Sequence, residues 1–272
     1  MAHNPYWEGK VDKPVKLGGW NKLQQIFHEH DVTGAVKHLA DAVRRRLDPE
    51  WRRRMRGYAA KDRVDIDFDR RYGVNTWGDM LLDQLGIAQQ DLERGNGIYR
   101  PIDEKLFWEA MSLLKIDPSE FNFVDYGSGK GKVLVMASRL PFRNVVGIEF
   151  STVLHEAAVA NLRDFHSTDK RCGEISAVCG DAIEYSPPGG PLVCFFFNPF
   201  SPEVWVEVLE KLRSSWKAEP RPLYVVYTNL RKVEELGTVL SDCDFLEPYA
   251  LSQRVLVYRA REMGVPLAED RS

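Results

Sequence analysis

The chain reads as an α/β protein: a doubly wound, seven-stranded, mostly parallel sheet with an antiparallel C-terminal hairpin strand, preceded by a helical N-terminal extension. Three observations predict this. From Phe123 onward, short apolar runs alternate with helix-length segments, the pattern that right-handed strand–helix–strand crossovers require. A cluster of glycines stands between the first run and the first helix. The last two runs, Phe245–Leu251 and Arg254–Arg259, are joined by Ser252 and Gln253 alone, which permits an antiparallel hairpin and no parallel crossover. The boundary is expected near residue 100, with residues 1–100 as a helical extension or lid and residues 101–272 as the sheet domain.

The N-terminal extension shows three helical segments: Trp20–Glu29, Gly34–Arg46 with Thr33 as N-cap, and Glu50–Ala60 after Asp48-Pro49. Arg44, Arg45, Arg46, Arg52, Arg53, Arg54, Arg56, Lys61 and Arg63 face only Asp48, Glu50 and Asp62 nearby. One reading is a pair of solvated helix faces whose arginine stems cover a core. The other is a grip on phosphates or on an acidic partner. A loop follows from Asp69 to Thr76, then a short helix from Trp77 to Leu85, then the glycine- and proline-bearing segment Arg94–Pro101, both loops being natural hinge or lid segments.

An amphipathic helix carries Leu106, Phe107, Ala110, Met111, Leu113 and Leu114 at helical spacing. Strands are expected at Phe123–Tyr126, Val145–Glu149, Ile175–Cys179, Leu192–Phe197 and Leu223–Tyr227. Helices are expected at Lys132–Leu140, Thr152–Phe165, Pro202–Trp216 and Arg231–Leu240. Such a sheet is covered on both faces, so Phe195, Phe196 and Phe197 read as buried strand residues. Lys130 and Lys132 read as solvated.

Composition removes several function classes. Hydrophobic residues make up 44% and charged residues 28% of the 272, an ordinary globular balance with a core to bury. The 37 basic and 40 acidic side chains leave a formal charge of -3, which argues against a surface coated in positive charge. The longest weighty apolar run, Leu192–Phe197, is far short of the roughly 20 residues that span a bilayer. With neither a secretory start nor a lipidation motif in view, a cytoplasmic protein is expected. Cys172, Cys179, Cys194 and Cys243 form no C-x-x-C pair, and His28 and His30 have i, i+2 spacing. No disulfide and no metal are expected.

The glycine cluster is Val124-Asp125-Tyr126-Gly127-Ser128-Gly129-Lys130-Gly131-Lys132. A Walker phosphate loop fails, because Lys132 is followed by Val133 and the first glycine position holds Tyr126. The dinucleotide fingerprint also fails, since Lys132 stands where its third glycine belongs. What remains is D-x-G-x-G-x-G, with Glu149 ending the next strand 24 residues after Asp125, Gly180-Asp181-Ala182 after the third strand and Asn198-Pro199-Phe200 after the fourth.

That ordered set resembles the class I S-adenosylmethionine-dependent methyltransferases over about residues 102–260. The resemblance implies S-adenosyl-L-methionine as cofactor and a last strand inserted antiparallel beside the fifth. It further implies that Gly127, Ser128, Gly129 and Gly131 wrap the methionine moiety, with Asp125 anchoring the turn, Glu149 holding the ribose, and Asp181 and Ala182 beside the adenine. Asn198-Pro199-Phe200 resembles, without its second proline, the N-P-P-[FY] motif of enzymes that methylate amino groups, so these three residues are the expected catalytic set. Tyr99 is expected over the cofactor as part of a lid. The implied activity is in-line methyl transfer to a nitrogen of a protein or nucleic acid, with the arginine-rich helices as a docking surface for that acceptor. Two alternatives stay open: a nicotinamide-dependent oxidoreductase on a similar sheet, and a non-catalytic cofactor- or nucleic-acid-binding module. Asn198 could equally serve to cap the following helix.

Overall fold

The structure, a computed structural model, describes residues 63–81, 85, 87, 94, 98–165, 167–228, 239–240 and 243–262. The three helices expected between Trp20 and Ala60, and the arginine-rich run as far as Asp62, lie outside the described residues, as does residues 231–238 of the helix expected at Arg231–Leu240. Compact packing groups Lys61–Ser272 into one unit.

The unit opens on helix α1, residues 63–72. Asp65, Phe68, Asp69 and Tyr72 recur at helical spacing and are all buried, so one stripe of this helix carries apolar rings and carboxyls inward together. The loop expected from Asp69 therefore starts later, because helix continues through Tyr72 and Gly73, at φ 70°, ends it. The short helix expected at Trp77–Leu85 is also absent at its start. Gly78 has φ 88°, and β1 (Met80–Leu81) pairs antiparallel with β2 (Ile98–Tyr99) instead. Those backbone partners are 17 or more residues away and leave no local trace.

Helix α2 (Glu104–Leu113) is capped by Asp103, whose side chain accepts from the Lys105 N–H. Then come β3 (Asn122–Tyr126), α3 (Lys132–Ala137), β4 (Asn144–Glu149), α4 (Thr152–Asp164), β5 (Glu174–Cys179), β6 (Leu192–Phe197), α5 (Pro202–Ala218), β7 (Leu223–Thr228), β8 (Leu246–Leu251) and β9 (Val255–Ala260). The sheet order is β5-β4-β3-β6-β7-β9-β8. Strands β3 to β7 are parallel, whereas β9 pairs antiparallel with both β7 and β8. This is the expected fold, hairpin included.

Two cores sandwich the sheet. Phe123 and Phe195 face Leu106, Phe107, Ala110 and Leu134 on one side. Val124, Cys194 and Phe196 face Val204, Trp205, Val208 and Leu212 of α5 on the other. Successive residues of β3 and β6 thus serve opposite cores, which is why these runs are apolar without alternation. Coverage fails at one edge: residues 180–191, which link β5 to β6, form no helix, and Val178 of β5 is 38% exposed. Full coverage of both faces, as expected from the strand pattern, stops short of β5.

Candidate functional site

In this order the chain direction of strand addition reverses between β3 and β6. A crevice must open there, beyond the carboxyl ends of the strands. Asp125 lies at the end of β3, Glu149 ends β4, Asp181 follows β5 and Asn198 follows β6. A cavity of about 310 Å³ occupies the crevice, and all four line it together with Gly127, Ser128, Gly129, Ala182, Pro199, Phe200 and Tyr99. Of the residues expected in the site, Gly131 alone is missing from its lining. Its φ of 82° instead lets the turn enter α3, close against Ala158.

The glycine turn is tied to the neighbouring strand. The N–H groups of Gly127 and Ser128 both donate to the Ile148 carbonyl, at 2.9 and 3.0 Å. The Gly129 N–H donates to Glu149 Oε2 at 2.8 Å, and the Ser151 N–H to Oε1 at 2.9 Å. Each carboxylate oxygen of Glu149 therefore keeps acceptor capacity toward the cavity while its position is set by backbone. Two glycines are required by contact as well as conformation. Gly127 has φ 77°, and a Cβ on it would lie 2.5 Å from Pro199 Cβ; Gly129 has φ 55°, and a Cβ there would lie 2.3 Å from the Tyr99 ring. The turn thus touches the Asn198-Pro199 motif on one side and Tyr99 on the other.

Asp125 and Ser128 are buried, and Asp125 Oδ2 and Ser128 Oγ have no hydrogen-bond partner. Burial, with the Glu149 charge in second place, pushes the Asp125 carboxyl well above its usual range. Burial also raises Glu149, against the N–H groups of Ser151, Gly129 and Phe150, which favour its charged form. A pair of buried polar atoms without a partner in the wall of a cavity suits a ligand with donors.

At the other end, Asp181 Oδ2 accepts from Arg94 Nη2 at 2.5 Å and Oδ1 from the Ile183 N–H at 3.0 Å. The Arg94 guanidinium also stands 5.4 Å from the centre of the Phe150 ring. Asn198 adopts φ 50°, the sole positive value among described non-glycine residues, and its Oδ1 accepts from the Tyr227 hydroxyl at 3.0 Å. It does not cap α5. Ser201 is the N-cap and Pro202 the first helical residue. Phe200 packs edge-on against Phe196 and Trp205.

Tyr99 lies over Gly129 with its hydroxyl donating to the Thr76 carbonyl at 2.7 Å. Of the lysines of the cluster, Lys132 is not solvated as expected, whereas Lys130 is half-buried. Lys132 is 2% exposed and pairs with buried Asp65 at 2.5 Å, its ammonium 4.8 Å from the Phe68 ring. Lys130 donates to the Trp77 carbonyl at 3.0 Å. The chain ahead of Asp103 supplies both partners, and nothing in the local spacing of the cluster points to it. Phe150, Arg94 and Lys132 line the cavity without having been expected there. An aromatic directly after the strand-ending Glu149 was the one available signal.

Among the described residues no group of His, Cys, Asp and Glu side chains could hold a metal ion, and no helix is long and apolar enough to cross a membrane.

The chain matches no protein-family model and no curated protein. Among solved structures it is similar to an RNA methyltransferase from Salinibacter ruber in complex with S-adenosyl-L-homocysteine, at 20% identity over 61% of this chain and 96% of that one, with a TM-score of 0.41. It is similar to a precorrin-6y C5,15-methyltransferase from Geobacter metallireducens GS-15, at 14% identity over 70% and 99%, with a TM-score of 0.45. A third is magnesium protoporphyrin IX methyltransferase from Synechocystis PCC 6803 with bound SAM, at 14% identity over 58% and 79%, with a TM-score of 0.41. The strand order decides the architecture, with β9 inserted antiparallel beside β7. The fold is a doubly wound, mostly parallel seven-stranded sheet with an antiparallel ending. In this sheet the carboxyl ends of β3, β4 and β6 converge on one cavity, so the fold itself brings the spaced motifs together.

Proposed function

We propose that the protein is an S-adenosylmethionine-dependent methyltransferase that transfers the methyl group in line to a nitrogen of a protein or nucleic acid. The observation that carries the reading is the cavity wall: Asp125 Oδ2 and Ser128 Oγ buried and unpartnered, beside a Glu149 carboxylate braced by backbone. The cofactor offers an ammonium, a ribose diol and an adenine. Asp125 would take the ammonium, with the backbone of Gly127 and Gly129 close enough to wrap the amino-acid chain because no Cβ intervenes. Glu149 would accept the ribose hydroxyls. Phe150, Ala182 and Asp181 would enclose the adenine, with Arg94 holding the Asp181 carboxylate.

When bound, the cofactor supplies a methyl group already activated by a sulfonium. What the chain must add is alignment and exclusion of water. Pro199 rests on the glycine turn, so the Asn198-Pro199-Phe200 segment stands beside the cofactor's expected reactive end. The Asn198 amide and Pro199 carbonyl would hold the acceptor nitrogen, with Phe200 packed against it. Tyr227 fixes the rotation of the Asn198 side chain.

Calorimetry with S-adenosylmethionine and S-adenosylhomocysteine tests the cofactor; absence of binding at millimolar ligand defeats the reading, and NADH binding in its place would favour an oxidoreductase. Radiolabelled methyl transfer into lysate, divided by protease and nuclease, tests the acceptor. Label confined to small molecules would overturn the macromolecular assignment.

A further inference from the structure

The residues between α1 and β1 lie beside the glycine turn, and one buried carboxylate organises them. Asp69 Oδ2 accepts from the Thr76 N–H at 2.8 Å and from the Trp77 N–H at 2.9 Å, while Oδ1 accepts from Thr76 Oγ1 at 2.6 Å. These bonds curl residues 73–77 back over the end of α1 and aim the Thr76 carbonyl at the Tyr99 hydroxyl. A second set ties the same curl to the turn. The Asn75 N–H donates to Asn161 Oδ1 at 2.7 Å; Asn161 Nδ2 donates to the carbonyls of Asn75 at 3.2 Å and Lys130 at 2.8 Å; Lys130 Nζ donates to the Trp77 carbonyl. Phe68, Tyr72 and Val74 are core residues, so the curl is anchored from below.

We infer that Asp69 is a positioning residue for the methionine end of the cofactor: through Thr76 it holds the Tyr99 ring against Gly129 and so keeps the glycine turn in its binding shape. This rests on the cavity being a site for S-adenosylmethionine. Neither Asp69 nor Thr76 lines the cavity, so the effect acts at one remove, by way of Tyr99 and Gly129. The geometry distinguishes this from general support of the fold. Tyr99 meets the turn at Gly129, whereas the expected adenine wall of Phe150, Asp181 and Ala182 belongs to the segments that follow β4 and β5.

The test compares ligands that share the adenosine and differ in the amino-acid chain. Calorimetry is run on the full chain as wild type, Asp69→Asn, Thr76→Val and Tyr99→Phe, with S-adenosylhomocysteine and with methylthioadenosine. The amide of Asp69→Asn cannot accept at both positions, and Thr76→Val removes the Oγ1 bond while keeping shape, which covers the case in which Asp69→Asn fails to fold. The expected result is roughly tenfold weaker S-adenosylhomocysteine binding in Asp69→Asn, a smaller loss in Thr76→Val, and methylthioadenosine unchanged within about twofold, in line with the usual worth of a few hydrogen bonds. The double variant Asp69→Asn/Tyr99→Phe should bind no more weakly than Asp69→Asn, because both changes break one chain of contacts. Equal losses for both ligands, or retained affinity in Asp69→Asn and Thr76→Val, would overturn the inference. A wild-type protein that binds neither ligand would instead defeat the cofactor reading on which it rests.

Discussion

Two carboxyls within one cavity are both raised by burial and differ in what opposes it. Glu149 is buried but stabilised by three backbone N–H groups, while Asp125 has an oxygen with no partner and feels the Glu149 charge. Glu149→Gln leaves one amide oxygen to face three backbone donors, so on the proposed function binding of S-adenosylmethionine should weaken by roughly tenfold or more, from about 1.5–3 kcal/mol per bond to a charged group; calorimetry reads this directly. For Asp125 the sign follows from its raised carboxyl. The folded state disfavours the ionised form, so this group's contribution to stability is intact at acid pH and is lost as pH rises from the ordinary carboxylate range through the raised value. Asp125→Asn should therefore melt higher than wild type near neutral pH without ligand, and the gap should close toward acid pH in calorimetric scans. On the proposed function the same variant should bind S-adenosylmethionine less tightly, since a neutral amide would not attract the ammonium. A variant that both melts lower at neutral pH and binds equally well would contradict this account.

At the scale of elements, the glycine turn is wedged between two segments that the sequence places about a hundred residues apart, Tyr99 and Pro199. Gly127→Ala would drive a Cβ into a rigid proline ring from a left-handed backbone. It is expected to cost about 1–3 kcal/mol in urea denaturation, combining the left-handed penalty with overpacking. Gly129→Ala meets a side chain instead. The double variant Gly129→Ala/Tyr99→Ala should therefore recover the part of the loss due to the clash, while no change at Tyr99 should rescue Gly127→Ala. The residues of the candidate site that line the cavity were legible because they stand at or just after strand ends, where period and turn chemistry are local. Asp69, Lys132 and Tyr227 were not, since each acts through a partner fixed by packing: Thr76 and Trp77, Asp65, and Asn198. The swap of an expected helix for the β1–β2 pair has the same cause, as strand pairing is a non-local choice.

For the whole unit, the buried Lys132–Asp65 pair joins α1 to the helix of the glycine turn. Lys132→Met removes the ammonium opposite a buried carboxyl and should lower stability by about 3–5 kcal/mol, whereas Lys132→Met/Asp65→Leu should regain most of that loss; denaturant midpoints with unchanged slope check both. If the single and double variants lose equally, the pair does not couple the two helices. The sequence by itself determined the α/β alternation, the antiparallel ending and the order of Asp125, Glu149, Asp181 and Asn198, because hydrophobic period, loop length and turn residues are properties of neighbouring positions. Only the tertiary structure decided that α1 and its following curl are bonded to the glycine turn and its helix, and that Lys132 is buried. Those outcomes depend on which distant surfaces meet once the sheet has formed, and an ammonium is buried only where a carboxylate from another element arrives to meet it.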